Sequence, residues 1–255
     1  MTETILNTLT AIEQQHSVRI LYAVESGSRA WGFASPDSDY DVRYIFVRPQ
    51  KDYLRIDPLP DTIEGPLDDV LDFSGWDLRK ALFLLRKTNP SLMEWIRSPI
   101  VYRTTPVWEQ LAPHFPEFFV PCFNMQHYYA MLANNWKSCA HGDQVKLKRY
   151  LYALRPLLCC HWLERFGSAP PVLFEQLCQA VLPQELESTV ADLLAQKRAA
   201  GEKDLTDRNP QLDAFILREL PRLQEVRTHM PFVEMAGFEK LNALFYSVLE
   251  QEEWL

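Results

Sequence analysis

Two short groups of residues near the start of the chain have the types and spacing to bind a phosphate and a metal ion. Gly27 and Ser28 follow an apolar run, and a glycine lets backbone N–H groups approach a phosphate closely. Asp39 and Asp41 lie two residues apart at the start of a second apolar run. In a strand, both carboxylates would share one face and repel each other unless a cation lay between them. The pattern therefore predicts an anion-binding corner beside a site for a hard cation such as Mg²⁺.

A further acidic residue follows in the next predicted strand, residues 69–73. Asp72 alternates there with Leu71 and Phe73, which we assign to the core side of the sheet. Its carboxylate then faces the opposite side, the side shared with Asp68. Asp72 is therefore our candidate for a third carboxylate beside the aspartate pair.

The elements that would position these residues follow from the hydrophobic pattern. An apolar period of three to four residues predicts a helix over residues 2–16. Runs of β-branched and aromatic residues predict strands over residues 18–24 and 40–47, with a loop from 25 to 38 between them. Proline and turn residues over 48–66 predict an irregular or hairpin excursion.

From the third strand onward the pattern becomes helical. Ser74 and Asp77 have the spacing of a capping box, which predicts a helix over residues 76–87. Apolar spacings typical of helices continue at residues 105–113, 122–140, 144–166, 172–181, 184–199, 210–228 and 234–250. We therefore expect an α/β domain over residues 1–100 followed by a helical domain over residues 101–255.

Composition and charge argue against several classes of protein. The 255 residues carry 26 basic and 34 acidic side chains, a formal net charge of −8, so nucleic acid would be contacted only locally. The first residues lack a basic and apolar leader, and no apolar run reaches the roughly 20 residues that span a bilayer. We expect a cytoplasmic protein without a membrane partner.

Cysteine usage predicts reduced core thiols and no zinc site. The cysteines are odd in number and lie in apolar, helix-like surroundings, at Cys122, Cys139, Cys159, Cys160 and Cys178. Cys139 lies two residues before His141, and Cys159 and Cys160 directly precede His161. No paired Cys-x-x-Cys or His-x-x-x-His spacing occurs, so zinc is not expected.

The Gly-Ser pair, the ten residues after it and the Asp-Tyr-Asp motif, residues 27–41, resemble the signature of the DNA-polymerase-β-like nucleotidyltransferase superfamily. Within it, the stretches GSRAWGFASPDSDYDVR, LDFSGWDLRKALFLLRKTNPSLMEW and KRYLYALRPLL are similar to the predicted nucleotidyltransferases that include the RNA-ligase-associated ones. The resemblance covers residues 17–100 and 144–166. It implies an α+β fold, in which a small mixed sheet with helices is followed by an all-helical C-terminal domain that closes over a nucleotide.

The resemblance also implies a reaction and roles for residues. An acceptor hydroxyl would attack the α-phosphorus of an NTP, with ATP favoured, and pyrophosphate would leave. Gly27 and Ser28 would bind the triphosphate, and Asp39 and Asp41 would bind two Mg²⁺ ions, with Mn²⁺ as an alternative. Asp72 would complete the metal site or help to deprotonate the acceptor. An RNA end is the acceptor that the RNA-ligase-associated relatives suggest.

Other interpretations keep the nucleotide site but change its use. Nucleotidylation of a protein or a small molecule is one, because a net charge of −8 leaves no extended basic track for a polynucleotide. A non-catalytic nucleotide sensor or antitoxin-like module is another. Label transferred to RNA, to protein or to a small molecule, or binding without pyrophosphate release, distinguishes these interpretations.

The predicted helix over residues 144–166 carries a second group of candidates. Lys148, Tyr152 and Arg155 fall within about 60° of one another, beside an apolar stripe formed by Leu147, Leu151, Leu154, Leu158 and Trp162. Such a stripe at the rim of a groove would neutralise triphosphate oxygens or stack on a base, and the alternative is a solvated basic face. Pro156 should free the carbonyl of Tyr152 and kink the helix.

Three further basic residues flank the motifs. Lys80, in the helix after Asp72, is expected to contact the nucleotide. Arg29 and Arg43 either contact substrate or balance the charge of the nearby aspartates. Arg29 is included in the predicted nucleotide-binding set.

Overall fold

The computed structural model describes residues 1–65, 70–139, 144–199 and 205–251. Its strands are β1 Arg19–Glu25, β2 Tyr40–Val47, β3 Thr62–Glu64, β4 Leu71–Asp77, β5 Val101–Thr104, β6 Gln144–Lys146 and β7 Leu205–Asp207. Its α-helices are α1 Thr2–His16, α2 Gly27–Trp31, α3 Gln50–Tyr53, α4 Leu78–Arg86, α5 Pro90–Trp95, α6 Pro106–Leu111, α7 Pro121–Cys139, α8 Leu147–Phe166, α9 Phe174–Val181, α10 Glu187–Ala199, α11 Pro210–His229 and α12 Glu239–Gln251. Short 3₁₀ helices cover Ala112–Phe118 and Gln184–Leu186.

The chain divides into two compact units. The first, here the sheet unit, comprises Met1–Gly27, Asp39–Phe119 and Met235–Leu255. The second, here the helical unit, comprises Ser28–Ser38 and Val120–Glu234. Each unit is thus assembled from separate stretches of chain. The division into consecutive domains over 1–100 and 101–255 stays a prediction.

Strands β1 to β5 of the described chain form one mixed sheet in the order β3-β4-β2-β1-β5. Strands β2 and β4 run parallel, whereas β1 is antiparallel to both β2 and β5 and β3 is antiparallel to β4. A small mixed sheet combined with many helices confirms the predicted α+β fold class. The parallel pair matters most for the site because it sets Asp41 directly opposite Asp72.

Each face of this sheet packs against helices of the sheet unit. On one face, Val42, Tyr44 and Phe46 of β2 are buried with the apolar stripe of α1. On the other face, Ile45 and Val47 join a cluster with residues of α4, α6 and α12. Burying a side chain of this size is worth about 1.5–3 kcal/mol. Because side chains alternate along a strand, Asp41 and Arg43 lie on the second face, where β2 begins.

Residues 74–77 form the end of β4 rather than the predicted capping box. Ser74 belongs to β4, where it is paired with Arg43 of β2, and its hydroxyl donates to Glu64 of β3 at 3.1 Å. Asp77 is itself the N-cap, because its Oδ1 accepts from the N–H of Arg79 at 2.8 Å. Helix α4 therefore begins at Leu78, not at residue 76. Pairing on both sides of β4 outweighs the local capping pattern.

Other departures from the predicted elements are short. The predicted loop over 25–38 contains α2, and the predicted excursion over 48–66 contains α3 and β3. Helix α5 and strands β5, β6 and β7 were not predicted, and β6 occupies the start of the predicted helix over 144–166. Segments of three to six residues are too short to show a hydrophobic period. The longer helical predictions are confirmed to within a few residues, except at the start of the last helix, and Asp68, Asp69 and His141 lie outside the described residues.

In the helical unit, α8 packs against α7, α9 and α11. Four residues of the predicted apolar stripe, Leu147, Leu151, Leu154 and Leu158, are buried. The carbonyl of Tyr152, which Pro156 deprives of its helical partner, accepts a hydrogen bond from Nδ2 of Asn135 at 2.6 Å. The predicted release of this carbonyl is therefore confirmed, and α7 supplies the replacement donor.

Cys122, Cys159 and Cys160 are buried free thiols, and Cys178 is partly buried. Burial raises the pKa of the Cys160 thiol, with a smaller contribution from neighbouring Cys159. These positions fit the predicted core thiols, whereas the side chain of Cys139 lies outside the described part. Among the helices described here, none combines the length and apolar character that a bilayer crossing requires.

Candidate active site

The Gly-Ser corner begins directly after β1 and is fastened to the start of β2. The N–H of Ser26 donates to the carbonyl of Asp41 at 2.8 Å. Gly27 follows with φ +59°, in the left-handed region that favours glycine. A Cβ atom at this position would lie 2.0 Å from Oδ2 of Asp41, so a side chain there would force the Asp41 carboxylate to move. Glycine thus allows the backbone turn and the Asp41 carboxylate to share one small space.

Asp41 and Asp72 are register partners on the parallel strands β2 and β4. Their side chains are 31% and 40% exposed, so both carboxylates are open to a ligand. Leu71 and Phe73 are buried on the other face. The predicted orientation of Asp72 is therefore confirmed. The two parallel strands present paired carboxylates at the end of the sheet where both strands begin.

Arg43 lies beside this carboxylate pair on the same face. One terminal nitrogen, Nη2, donates to Oδ1 of Asp41 at 2.9 Å and to Oδ2 of Asp72 at 2.7 Å. The other, Nη1, donates to the carbonyls of Val42 and Asp72 at 3.2 and 3.0 Å. Of the two roles predicted for Arg43, charge balance is the one that these contacts match.

Asp39 precedes β2 by one residue and is solvent-exposed. It lies two residues before Asp41 in the same stretch of chain, as the motif requires. Asp39 is thus exposed to ligands at the end of the sheet where β2 begins.

A buried glutamate that the sequence pattern did not indicate, Glu25, supports the Gly-Ser corner. Glu25 is fully buried at the end of β1, and its Oε1 accepts from the N–H of Asp41 at 2.8 Å. Its Oε2 accepts from the hydroxyl of Tyr102, and its backbone carbonyl accepts from Oγ of Ser98 at 2.6 Å. Glu25 therefore holds the backbone of Asp41 in place. Two of its partners, Ser98 and Tyr102, lie more than 70 residues away, so no local pattern could have revealed them.

The donors at this edge have the chemistry that Mg²⁺ prefers, since the available ligands are carboxylate oxygens and backbone groups. Within the described ranges, however, no three His, Cys, Asp or Glu side chains are gathered closely enough to hold a metal ion. One oxygen of Asp41 and one of Asp72 are engaged by Arg43. The residue types thus fit a metal ion. In the structure, the carboxylates of Asp41 and Asp72 are arranged around the guanidinium of Arg43.

Ser28 and Arg29 belong to the segment Ser28–Ser38 of the helical unit. Ser28 is buried, and its carbonyl accepts from the N–H of Phe33 at 3.1 Å. Arg29 donates through Nη2 to the carbonyl of Ser38 at 2.6 Å. Ser35 at the turn of this segment accepts a hydrogen bond from the buried Lys197 of α10 at 2.8 Å. These contacts give the segment a defined shape within the helical unit.

The candidates on α8 separate into an accessible pair and a buried arginine. Lys148 and Tyr152 are partly exposed, and the ring of Tyr152 meets the ring of Trp31 edge-on at 5.5 Å. Arg155 is only 1% exposed, and its guanidinium lies 4.3 Å from the Trp31 ring centre. This corrects the predicted stripe at a groove rim, because the attraction between cation and ring draws Arg155 under Trp31.

Lys80 is not brought to the carboxylates. Its Nζ donates to Oδ1 of Asp61 at 2.9 Å and to Oγ1 of Thr62 at 2.6 Å. It follows the far end of β4, and the strand from Asp72 to Asp77 is about 17 Å long at the usual rise per residue. The hydrogen bond from Lys80 lowers the pKa of the Asp61 carboxyl. The structure therefore places Lys80 with Asp61 and Thr62 rather than with the carboxylate pair.

Comparison with known proteins agrees with the class that the fold and the site define, the polymerase-β-type nucleotidyltransferases. A family described as RlaP, RNA repair pathway DNA polymerase beta family, matches residues 1–247. The chain belongs to this family, which confirms the resemblance and supports a nucleotidyltransferase.

Similarity to a relative extends over nearly the whole chain. The chain is 42% identical over 253 residues to the Bacillus subtilis (strain 168) protein named Uncharacterized protein YcgL, covering 98% of this chain and 97% of that protein. A crystal structure of a nucleotidyltransferase-like protein from Exiguobacterium sibiricum 255-15 matches 97% of this chain and 80% of that chain. It shares 14% sequence identity, and the TM-score is 0.31.

Proposed function

We propose that this protein transfers a nucleotidyl group from an NTP to an acceptor hydroxyl in a Mg²⁺-dependent reaction. The acceptor oxygen forms a bond to the α-phosphorus, the bond between the α-phosphorus and its bridging oxygen breaks, and pyrophosphate leaves. The observation that carries this proposal is the Gly27 corner packed against Asp41, with Asp72 beside it on the parallel strand. Family membership supports the same reaction class.

The residues of the sheet unit divide the work in this proposal. Asp39, Asp41 and Asp72 would hold the Mg²⁺ ions, which supply positive charge to the phosphate oxygens when bound. Gly27 supplies the left-handed turn, beside the Asp41 carboxylate, at which backbone N–H groups are proposed to bind a phosphate. Glu25 keeps the Asp41 backbone fixed through its 2.8 Å hydrogen bond. Asp72 either completes the set of ligands or accepts the proton of the acceptor hydroxyl.

The helical unit is proposed to contribute to nucleotide binding. Lys148 and Tyr152 are partly exposed and carry a positive charge and an aromatic ring, groups that bind phosphate and bases. Ser28 and Arg29 belong to the defined segment after the corner and are proposed to contact the triphosphate. Arg155 is proposed to act indirectly, by supporting the Trp31 ring. ATP remains the favoured nucleotide.

An RNA end is the acceptor that we propose, since the family description names an RNA repair pathway. A net charge of −8 is compatible with recognition of a terminus by a few local contacts. Transfer to a protein or a small molecule, and nucleotide binding without transfer, are the competing outcomes of the test.

The test follows the α-phosphate. Purified protein is incubated with Mg²⁺ and each α-labelled NTP in the presence of total RNA and total protein, and label and pyrophosphate are measured. Asp41→Asn and Asp72→Asn remove one carboxylate charge each. Asp57→Asn is the matched control, because Asp57 is an exposed aspartate of the sheet unit that pairs only with Arg55 among the contacts described.

Label on RNA from wild type and Asp57→Asn, but not from Asp41→Asn, would support the proposal. Label on a protein or a small molecule would keep the enzyme and change the acceptor. Nucleotide binding without pyrophosphate release from any NTP would contradict catalysis and favour the sensor interpretation.

A further inference from the structure

Arg43 occupies the place where a cation would be expected between the paired aspartates. Its Nη2 contacts Oδ1 of Asp41 at 2.9 Å and Oδ2 of Asp72 at 2.7 Å. The side chain is only 17% exposed, less than either carboxylate. A positive group held between two carboxylates relieves the repulsion that the parallel register of the aspartates creates.

Hydrogen bonds to backbone carbonyls fix the guanidinium of Arg43 in this position. Nη1 donates to the carbonyls of Val42 and Asp72, so both terminal nitrogens are oriented by the two strands. Period 2 along β2 sends Arg43 to the same face as Asp41. The strands that present the carboxylates therefore also present their counter-ion.

We infer that Arg43 is a built-in counter-ion that competes with the divalent cation for the carboxylates of Asp41 and Asp72. The inference rests on the proposed function, because it concerns the cation that this function requires. A divalent ion bound to the pair lies close to the guanidinium and is repelled by it, and it also competes for oxygens that Arg43 engages. Arg43 thus weakens cation binding by the nucleotide-free protein and keeps the carboxylate pair stable without a metal.

Direct measurement of cation binding tests this role without depending on turnover. Mg²⁺ is titrated calorimetrically into nucleotide-free full-length protein, and Mn²⁺ binding is measured by electron paramagnetic resonance. Arg43→Met keeps an apolar stem and removes the charge, and Arg43→Lys keeps the charge but loses the planar group that spans both carboxylates. Arg103→Met is the matched control, since Arg103 pairs with Glu13 at 2.7 Å and is 21% exposed.

Arg43→Met is expected to bind Mg²⁺ about tenfold more tightly than wild type, equivalent to about 1.4 kcal/mol. Arg43→Lys should fall between the two, and Arg103→Met should match wild type. Mg²⁺ should also raise the melting temperature of Arg43→Met more than that of wild type, because the ion replaces the lost counter-ion. If Arg43→Met fails to fold, Arg43→Lys alone decides, by tighter or unchanged binding.

Equal Kd values for wild type and the Arg43 variants would overturn the inference, even if nucleotidyl transfer were observed. Tighter Mg²⁺ binding by the Arg43 variants without any nucleotidyl transfer would support the inference and contradict the proposed reaction. Absence of cation binding from wild type and every variant would overturn the inference together with the metal dependence of the proposed function. Label transfer then tests the reaction separately.

Discussion

Arginine–aspartate pairs lie at both ends of the parallel ladder formed by β2 and β4, the second arginine directly after β2, and the two ends differ in access to solvent. At the first end, Arg43 pairs with Asp41 and Asp72, whose side chains are 31% and 40% exposed. At the second end, Arg48 and Asp77 lie 3.7 Å apart with side chains only 9% and 5% exposed. Similar residue types at the two ends of one ladder therefore occupy an open site and a sealed one.

The sealed end has structural tasks for its charged groups. Asp77 caps α4 and accepts a hydrogen bond from the hydroxyl of Tyr53 at 3.0 Å. Burial raises the pKa of Asp77, and burial together with the nearby Asp77 charge raises the pKa of Tyr53. The open end has carboxylates that still face solvent. Access, rather than residue type, thus distinguishes a candidate site from a buried ion pair.

The largest expected effect is the difference in kcat between a variant that loses a carboxylate charge at the open end and one that loses it at the sealed end. Asp41→Asn should lower kcat by at least about 10²–10³, as expected when an electrostatic contact to the reacting phosphate is lost. Asp77→Asn should leave kcat near the wild-type value. Label transfer measured with both purified variants checks this. A comparable loss of kcat in both variants would break the distinction between the two ends.

Gly27→Ala should disturb the open end alone. The new Cβ would lie 2.0 Å from Oδ2 of Asp41 and would also strain a backbone with φ +59°. Displacing the carboxylate by about 1 Å should cost about 100-fold in kcat/KM. The control is Gly167→Ala, with φ +60° and no atom within 4 Å of the added Cβ, which should show only the strain of about 1–2 kcal/mol. Equal kinetic losses in both variants would contradict the proposed close contact.

The longer helices and strands of this fold could be predicted because each has enough residues to show a hydrophobic period. Helix α1 and strand β2 match their predicted bounds, and the buried face of α1, formed by Ile5, Leu9 and Ile12, is the predicted one. The orientation of Asp72 followed from its two buried neighbours in the same strand. Alternation along a strand needs no knowledge of distant partners, which is why these predictions are confirmed.

The predictions that failed depend on contacts between distant residues. The capping pattern at Ser74 gave way to strand pairing, and the predicted accessible Arg155 is covered by Trp31, 124 positions earlier in the chain. Glu25 escaped notice because its partner Tyr102 lies 77 residues away. Side-chain support of a site is built by tertiary contacts, and a single sequence gives no local signal for them.

The pH dependence of stability should sharpen the comparison further. The raised pKa of Asp77 means that the folded state binds this proton more tightly than the unfolded chain. Its contribution to stability is therefore largest below the unfolded-state pKa and falls as pH rises through the folded-state value. Urea unfolding between pH 3 and 7 should show wild type losing stability relative to Asp77→Asn over this interval. A difference that stays constant with pH would contradict a raised pKa.

The smallest effect is expected for Lys80, which the sequence suggested as a nucleotide contact and which follows the sealed end. Its ion pair with Asp61 is partly exposed, at 26% and 60% for the two side chains, and such pairs are worth about 0.2–1 kcal/mol. Lys80→Met should therefore reduce the free energy of unfolding by no more than this and leave KM for the NTP unchanged. Lys148→Met is the comparison, because Lys148 remains in the proposed nucleotide-binding set. A raised KM for Lys80→Met that equalled the effect of Lys148→Met would mean that the sealed end also contributes to nucleotide binding, and the separation of the two ends would fail.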